Sequence, residues 1–176
     1  MKTVAGKSNV TRLRTAARPK LKSVRNRIDA AEWNARTDLA AAFRLTALCG
    51  WTDMLGTHIS CRVPGTHDQF LINPYGLLFE EITASSLIKC DISGKKLSES
   101  AYEVNFAGFT IHSAIHMGCH DAAAVMHLHN VYGVAVSAQK AGLLPITQKA
   151  LTAPLEQVRY TTMKVLPTIS PSANAS

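Results

Sequence analysis

The sequence has no C-x-x-C pair, no apolar run near the ~18–20 residues of a membrane-spanning helix, and no acidic residue before Asp29. Each absence excludes something. Without paired spacings, Cys49, Cys61, Cys90 and Cys119 do not make a disulfide framework, and free, mostly buried thiols in a reducing compartment are expected. Without a spanning run or a secretory apolar region, a soluble, cytoplasmic protein is expected. The missing early acids locate the charge. Residues 1–28 hold nine Lys or Arg, and the remainder holds ten bases against twelve acids, so the net +7 belongs to a tail. A folded domain that grips nucleic acid with its own surface is more often basic itself, so no nucleic-acid partner is expected.

What is present suits one α/β domain: 176 residues, 47% apolar and 18% charged. Residues 1–28 read as a basic extension, disordered or loosely helical, whose Arg-rich make-up also resembles a mitochondrial transit peptide. Residues 29–151 carry the ordered pattern. Residues 152–176, with Pro154, Pro167 and Pro171, have the composition of a divergent tail.

Within the ordered part, Asp29 followed by Glu32 predicts a capping box opening a helix that ends near Gly50. Trp33, Leu39, Ala42, Phe43, Thr46 and Ala47 share one side of it. Residues 58–63 alternate, with Ile59, Cys61 and Val63 against His58, Ser60 and Arg62, which predicts a strand. A short apolar run, 70–72, stops at the turn Asn73-Pro74-Tyr75-Gly76. A short helix and then a strand are expected across 82–92. Residues 103–118 read as a helix packing through Phe106, Phe109, Ile111 and Ile115. A buried strand, 123–129, and a small-residue helix, 131–141, follow.

His127 and His129 are the sharpest chemical feature. Residues two apart on a strand face one way, so both imidazoles can converge on one ion, and neutral imidazole suits Zn²⁺ and its neighbours. Two hydrogen-bonded histidines at a strand end are the alternative. His112 and His116 share a helix face, but Ser113 follows His112, so the H-E-x-x-H motif is excluded; packing and hydrogen bonding are the favoured roles. His120 is expected in solvent. Thr57, His58 and Ser60, with Asn73 and Gly76, offer hydroxyls, an amide and turn N–H groups that could cradle a phosphate or carboxylate. Adjacent Glu80 and Glu81 diverge and read as a solvated face.

The chain also resembles a known family. Gly50-Trp51-Thr52-Asp53, Thr57-His58-Ile59-Ser60-Cys61-Arg62-Val63-Pro64, the run FLINPYGLLFEEITASSL from Phe70 to Leu87, Gly108-Phe109-Thr110-Ile111-His112-Ser113-Ala114-Ile115-His116, His127-Leu128-His129 and Gly133-Val134-Ala135-Val136-Ser137-Ala138 resemble, in order, the class II aldolase/adducin domain. The resemblance implies a three-layer α/β/α sandwich around a mostly antiparallel sheet, incomplete at the C-terminus here, and a homo-oligomer, usually a tetramer. It implies Zn²⁺ or another divalent metal on His127 and His129, polarising a small, hydroxylated, sugar-like carbonyl substrate, with phosphate held by loops matching 57–60 and 73–76.

Two departures accompany it. Aldolases of the family carry a catalytic Glu where this chain has Gly108, as the adducin-like branch does; His112, one turn along, is the candidate substitute. The third metal histidine is also missing, since no His follows His129. The chain therefore reads as a fragment, a truncated product or a frameshifted one, with weakened metal binding, exposed sheet edges and a tendency to aggregate. The expected functions are a metal-dependent aldolase-type lyase or a non-catalytic adducin-like protein, whose animal counterparts associate with actin filaments and spectrin. A nonfunctional remnant is the third reading.

Overall fold

The structure, a computed structural model, describes residues 23–152 and residue 158. Most of the basic extension and nearly all of the tail lie outside the described residues, as do the expectations attached to them. Ahead of the first helix, Arg25–Arg27 form a single 3-10 turn.

Helix α1, Ala30–Leu48, begins as its sequence requires, with the Asp29 carboxylate accepting the Glu32 N–H at 2.7 Å. The second half of the capping box does not form. Instead Glu32 accepts from Arg36 Nε at 2.8 Å and from Lys89 Nζ at 2.7 Å. A carboxylate with two cations in reach gains more there than by turning back to one backbone N–H. Arg36, fully buried, also donates to the carbonyls of Ala84 and Leu87, tying α1 to the chain before the third strand.

Four antiparallel strands follow in the order β3-β2-β1-β4: β1 is His58–Arg62, β2 Gln69–Ile72, β3 Ile88–Asp91 and β4 Ala124–His127. A 3-10 turn, Phe79–Glu81, precedes residue 82, so the short helix expected after that point stands before it. The alternation in β1 sorts its side chains between two helices. Ile59 joins Leu39 and Phe43 of α1, with Leu71, Phe79, Ile82 and Leu87, in the main core. His58 and Ser60 bond side chains of α2, Phe106–Gly118, on the opposite face.

Helix α2 departs from expectation in two ways. It starts at Phe106, because Asn105 caps it by accepting from the Ala107 and Gly108 N–H groups, and Val104 is bridged to Pro74 instead. Its buried face is Gly108, His112, Ser113 and His116, whereas Phe106 and Ile115 are exposed. Phe109 alone of the expected apolar set reaches a core, the small cluster of Phe70, Ile72 and Cys90.

Strand β4 differs as well. Ala123, Ala124 and Met126 are exposed, since among the described strands β4 has β1 as its one neighbour. Helix α3, Val131–Ser137, opens on Asn130 and stops short of the expected end; it buries no side chain. A short α4, Gln148–Leu151, closes the described part. Cys49 and Cys119 are exposed, against the expectation of mostly buried thiols, and all four cysteines are free. Burial pushes the thiols of Cys61 and Cys90 up to about 11 and about 12, which makes them poor nucleophiles. Among the described residues, no helix is long and apolar enough to cross a membrane.

Candidate functional site

Strand pairing builds the site. In the β1–β4 register His58 stands opposite His127, and their rings stack with centroids 4.6 Å apart and planes 14° from parallel. His129 lies just beyond the strand end, and its Nε2 meets His127 Nε2 at 2.8 Å. The two imidazoles therefore converge and share a hydrogen bond, the arrangement of the alternative reading of two bonded histidines at a strand end. Behind them, Asp53 Oδ2 accepts from His129 Nδ1–H at 2.8 Å. That bond directs Nδ1 of His129 outward and leaves its Nε2 facing His127.

A hydrogen-bonded chain runs from His58 along the buried face of α2. His58 Nδ1 and His112 Nε2 are 2.8 Å apart, His112 Nδ1 bonds Ser60 Oγ, and Ser60 Oγ and His116 Nε2 are 2.9 Å apart. Burial, helped by the neighbouring rings of His127 and His129, lowers His58 from the ordinary 6.5 to about 4. Burial, then His58, His116 and His127, takes His112 down to about 3. His116 is lowered by burial and by Arg62, and His127 by burial and by His129. At neutral pH these four rings are uncharged, so the buried face carries hydrogen bonds without a buried charge.

The residues singled out in the sequence thus fall into two groups. His58, Ser60, His112 and His116 form the buried network, as the packing reading of the two α2 histidines holds. His127 and His129 converge at its open end. Thr57 and Asn73 are also buried, and Thr57 Oγ1 and Asn73 Oδ1 have no hydrogen-bond partner. Gly76 takes a φ of +94° in the turn after Asn73. These five do not form one open cradle, since Thr57, His58, Ser60 and Asn73 are all closed off from solvent. His120 and Glu80 are exposed, and Glu81 accepts the Leu78 N–H.

The cleft beside the histidine pair, about 590 Å³, is lined by Leu55, Gly56, Tyr75, Val104, Asn105 and Phe106. Gly56 joins it to the pair: a Cβ there would stand 3.4 Å from His129 Cε1. Asp53, Gly56 and Asn105 escape a reading of the sequence, since each is an ordinary loop or cap residue until the fold brings it to His129 or the cleft. For Asp53 the available signal was general: a ligating histidine usually gives its outer N–H to a carboxylate.

The donor set fits a divalent transition metal in chemistry, with two imidazoles converging and a carboxylate behind one of them. Among the described residues, however, no group of three or more His, Cys, Asp or Glu side chains is placed to hold one ion.

Comparison with known proteins gives the family. The family model described as the class II aldolase and adducin N-terminal domain matches residues 37–170. A Pseudomonas aeruginosa relative, provisionally named a class 2 aldolase protein, is 60% identical over 128 residues, covering 73% of this chain and 49% of its own. Rat alpha-adducin is 45% identical over 134 residues, 75% of this chain and 18% of its own. The crystal structure of an aldolase II superfamily protein from Pseudomonas syringae superposes with a TM-score of 0.71 at 54% identity, covering 74% of this chain and 53% of that one. The chain spans about half the length of the bacterial relatives it matches.

Proposed function

Since the chain belongs to the class II aldolase and adducin N-terminal domain family, we propose that it carries part of an aldolase-type metal site. His127 and His129 hold a divalent cation, Zn²⁺ or a neighbouring transition metal, and the adjoining cleft takes a small hydroxylated carbonyl compound. The observation that carries this reading is the convergence of the two Nε2 atoms at 2.8 Å, with Asp53 behind His129. A bound divalent cation would supply Lewis-acid polarisation of a carbonyl or enediolate oxygen.

The protein's own groups do the rest. Asp53 fixes the tautomer and direction of His129. Leu55, Val104 and Phe106 give the cleft apolar walls, and Asn105 and Tyr75 bring polar ends to it. A phosphate on the substrate would accept from the turn N–H groups near Gly76 and from the unpartnered Thr57 hydroxyl, with the Asn73 amide turned to offer its N–H, once a ligand opens that region. His112 is not placed to exchange protons with a substrate directly: both its ring nitrogens are bonded inside the network, and it reaches the histidine pair through His58. A role for it runs through that neighbour. An L-fuculose 1-phosphate aldolase from Glaciozyma antarctica, 32% identical with a TM-score of 0.65, supports the substrate class. Cytoplasmic location and assembly into a homo-oligomer, a tetramer by family resemblance, belong to the same proposal.

Zn²⁺ titration of the intact chain by calorimetry tests the reading. Stoichiometric binding that disappears in both His127→Ala and His129→Ala is expected. Binding indifferent to those substitutions would remove the site.

A second reading is favoured by one observation, glycine at 108. An adducin-like domain keeps the fold without turnover and serves as a binding platform, with actin filaments or other cytoskeletal partners. The 45% identity to rat alpha-adducin supports it. Zn²⁺ binding without any aldol cleavage, together with cosedimentation with actin filaments, would select this reading over the enzyme.

A further inference from the structure

Gly108 sits inside α2 at a point where the backbone needs no special conformation, and glycine is a poor helix former. Its reason is space. A Cβ at 108 would stand 2.8 Å from Cδ2 and 2.9 Å from Cγ of His58, and 3.2 Å from its Nε2. The first two distances are shorter than real Cβ contacts, so the ring would have to move. It is held on several sides: stacked on His127, bonded through Nδ1 to His112, and almost fully buried. His112 is bonded to Ser60 in its turn, so a shift of His58 would disturb the whole network.

We propose that His58 is a positioning residue for His127, and that Gly108 is the opening in α2 that allows it to be one. For His112 to reach His58 Nδ1, α2 must approach β1 to within contact of the imidazole. Only a residue without a side chain at 108 permits that approach while the ring lies flat against His127. The ring of His58 and a side chain at 108 are thus alternatives for one volume. While the imidazole is present, position 108 admits no carboxylate, and what borders the histidine pair on that side is a neutral ring tied through Nδ1 to His112. The claim about space stands without a metal. The claim about positioning rests on the reading of His127 and His129 as a cation pair.

A double-mutant cycle on the intact chain tests both, with Gly108→Ala, His58→Ser and the double variant followed by thermal melting and Zn²⁺ titration. Gly108→Ala lowers the Tm when His58 is present. In the His58→Ser background the same substitution raises it, because the crowding is gone and alanine favours the helix. The same sign in both backgrounds overturns the claim about space. If His58→Ser does not fold, His58→Asn provides the second background for the same comparison. For positioning, His58→Ser weakens Zn²⁺ binding at least tenfold while His127→Ala abolishes it. Unchanged Zn²⁺ affinity in His58→Ser, beside a null His127→Ala, overturns positioning and leaves the cation reading intact. Zn²⁺ affinity unchanged in His127→Ala overturns the cation reading and positioning with it, and the melting cycle still decides the claim about space.

Discussion

The two faces of the sheet are built on opposite principles. Against α1, Ile59 and Leu71 meet Leu39, Phe43 and Phe79 in an apolar core, with the Phe43 and Phe79 rings edge to face at 4.6 Å. Against α2, the central strand presents His58 and Ser60 to His112 and His116, which bond one another in a chain that leaves His116 Nδ1 unpaired. Apolar packing tolerates approximate fit, whereas a buried polar network stabilises only when its members are paired. One face thus holds the strand by apolar contact, and the other by hydrogen bonds between polar side chains.

The largest expected effect tests the apolar side. Phe43→Ala, at a fully buried position, should destabilise by about 3–5 kcal/mol in urea unfolding. A loss under about 1 kcal/mol would mean that the core does not lie under α1. On the polar side, His112→Phe keeps a ring but strands His58 Nδ1, at about 1–3 kcal/mol for a buried group left unpaired, and leaves Ser60 Oγ with His116 as its partner. A neutral outcome would make that face an ordinary hydrophobic contact.

Acid separates the faces without mutation. His58 and His112 bind protons less readily when folded, at about 4 and about 3, than at the 6.5 of an unfolded histidine. Their contribution is therefore complete above about pH 6.5 and is lost as pH falls towards those lower values, by up to about 1.4 kcal/mol per pH unit for each ring. Urea midpoints measured from pH 7 down to pH 4.5 should decline along that course, and His112→Phe should flatten it. A midpoint independent of pH would contradict the neutral network. The smallest stability effect belongs to the exposed Asp53. Asp53→Asn should leave stability within about 0.5 kcal/mol, yet weaken Zn²⁺ about 10–100-fold if the carboxylate orients His129.

Local chemistry was legible in the sequence, and topology was not. The Asp29 cap, the alternation of β1 and the convergence of His127 and His129 follow from spacing alone. The capping box failed in its second half because Lys89, far along the chain, competes for Glu32. The apolar residues of α2 pointed to the wrong face, since no hydrophobicity rule expects histidines at 112 and 116 to be buried in place of Ile115. Their burial depends on what β1 offers opposite them. The run of small apolar residues in β4 looks like a buried strand until its place at the edge of the described sheet is known.

That place at the edge has a dynamic consequence. A strand hydrogen-bonded along one side opens at a lower free energy than the core it borders. His127 ends such a strand among the described residues and His129 follows it, so local opening can part their rings while Phe43 and its neighbours stay packed. Hydrogen exchange would record this as amides of β4 trading with solvent long before those of β2. The histidine pair thus sits at the margin of the described sheet, where local opening costs least.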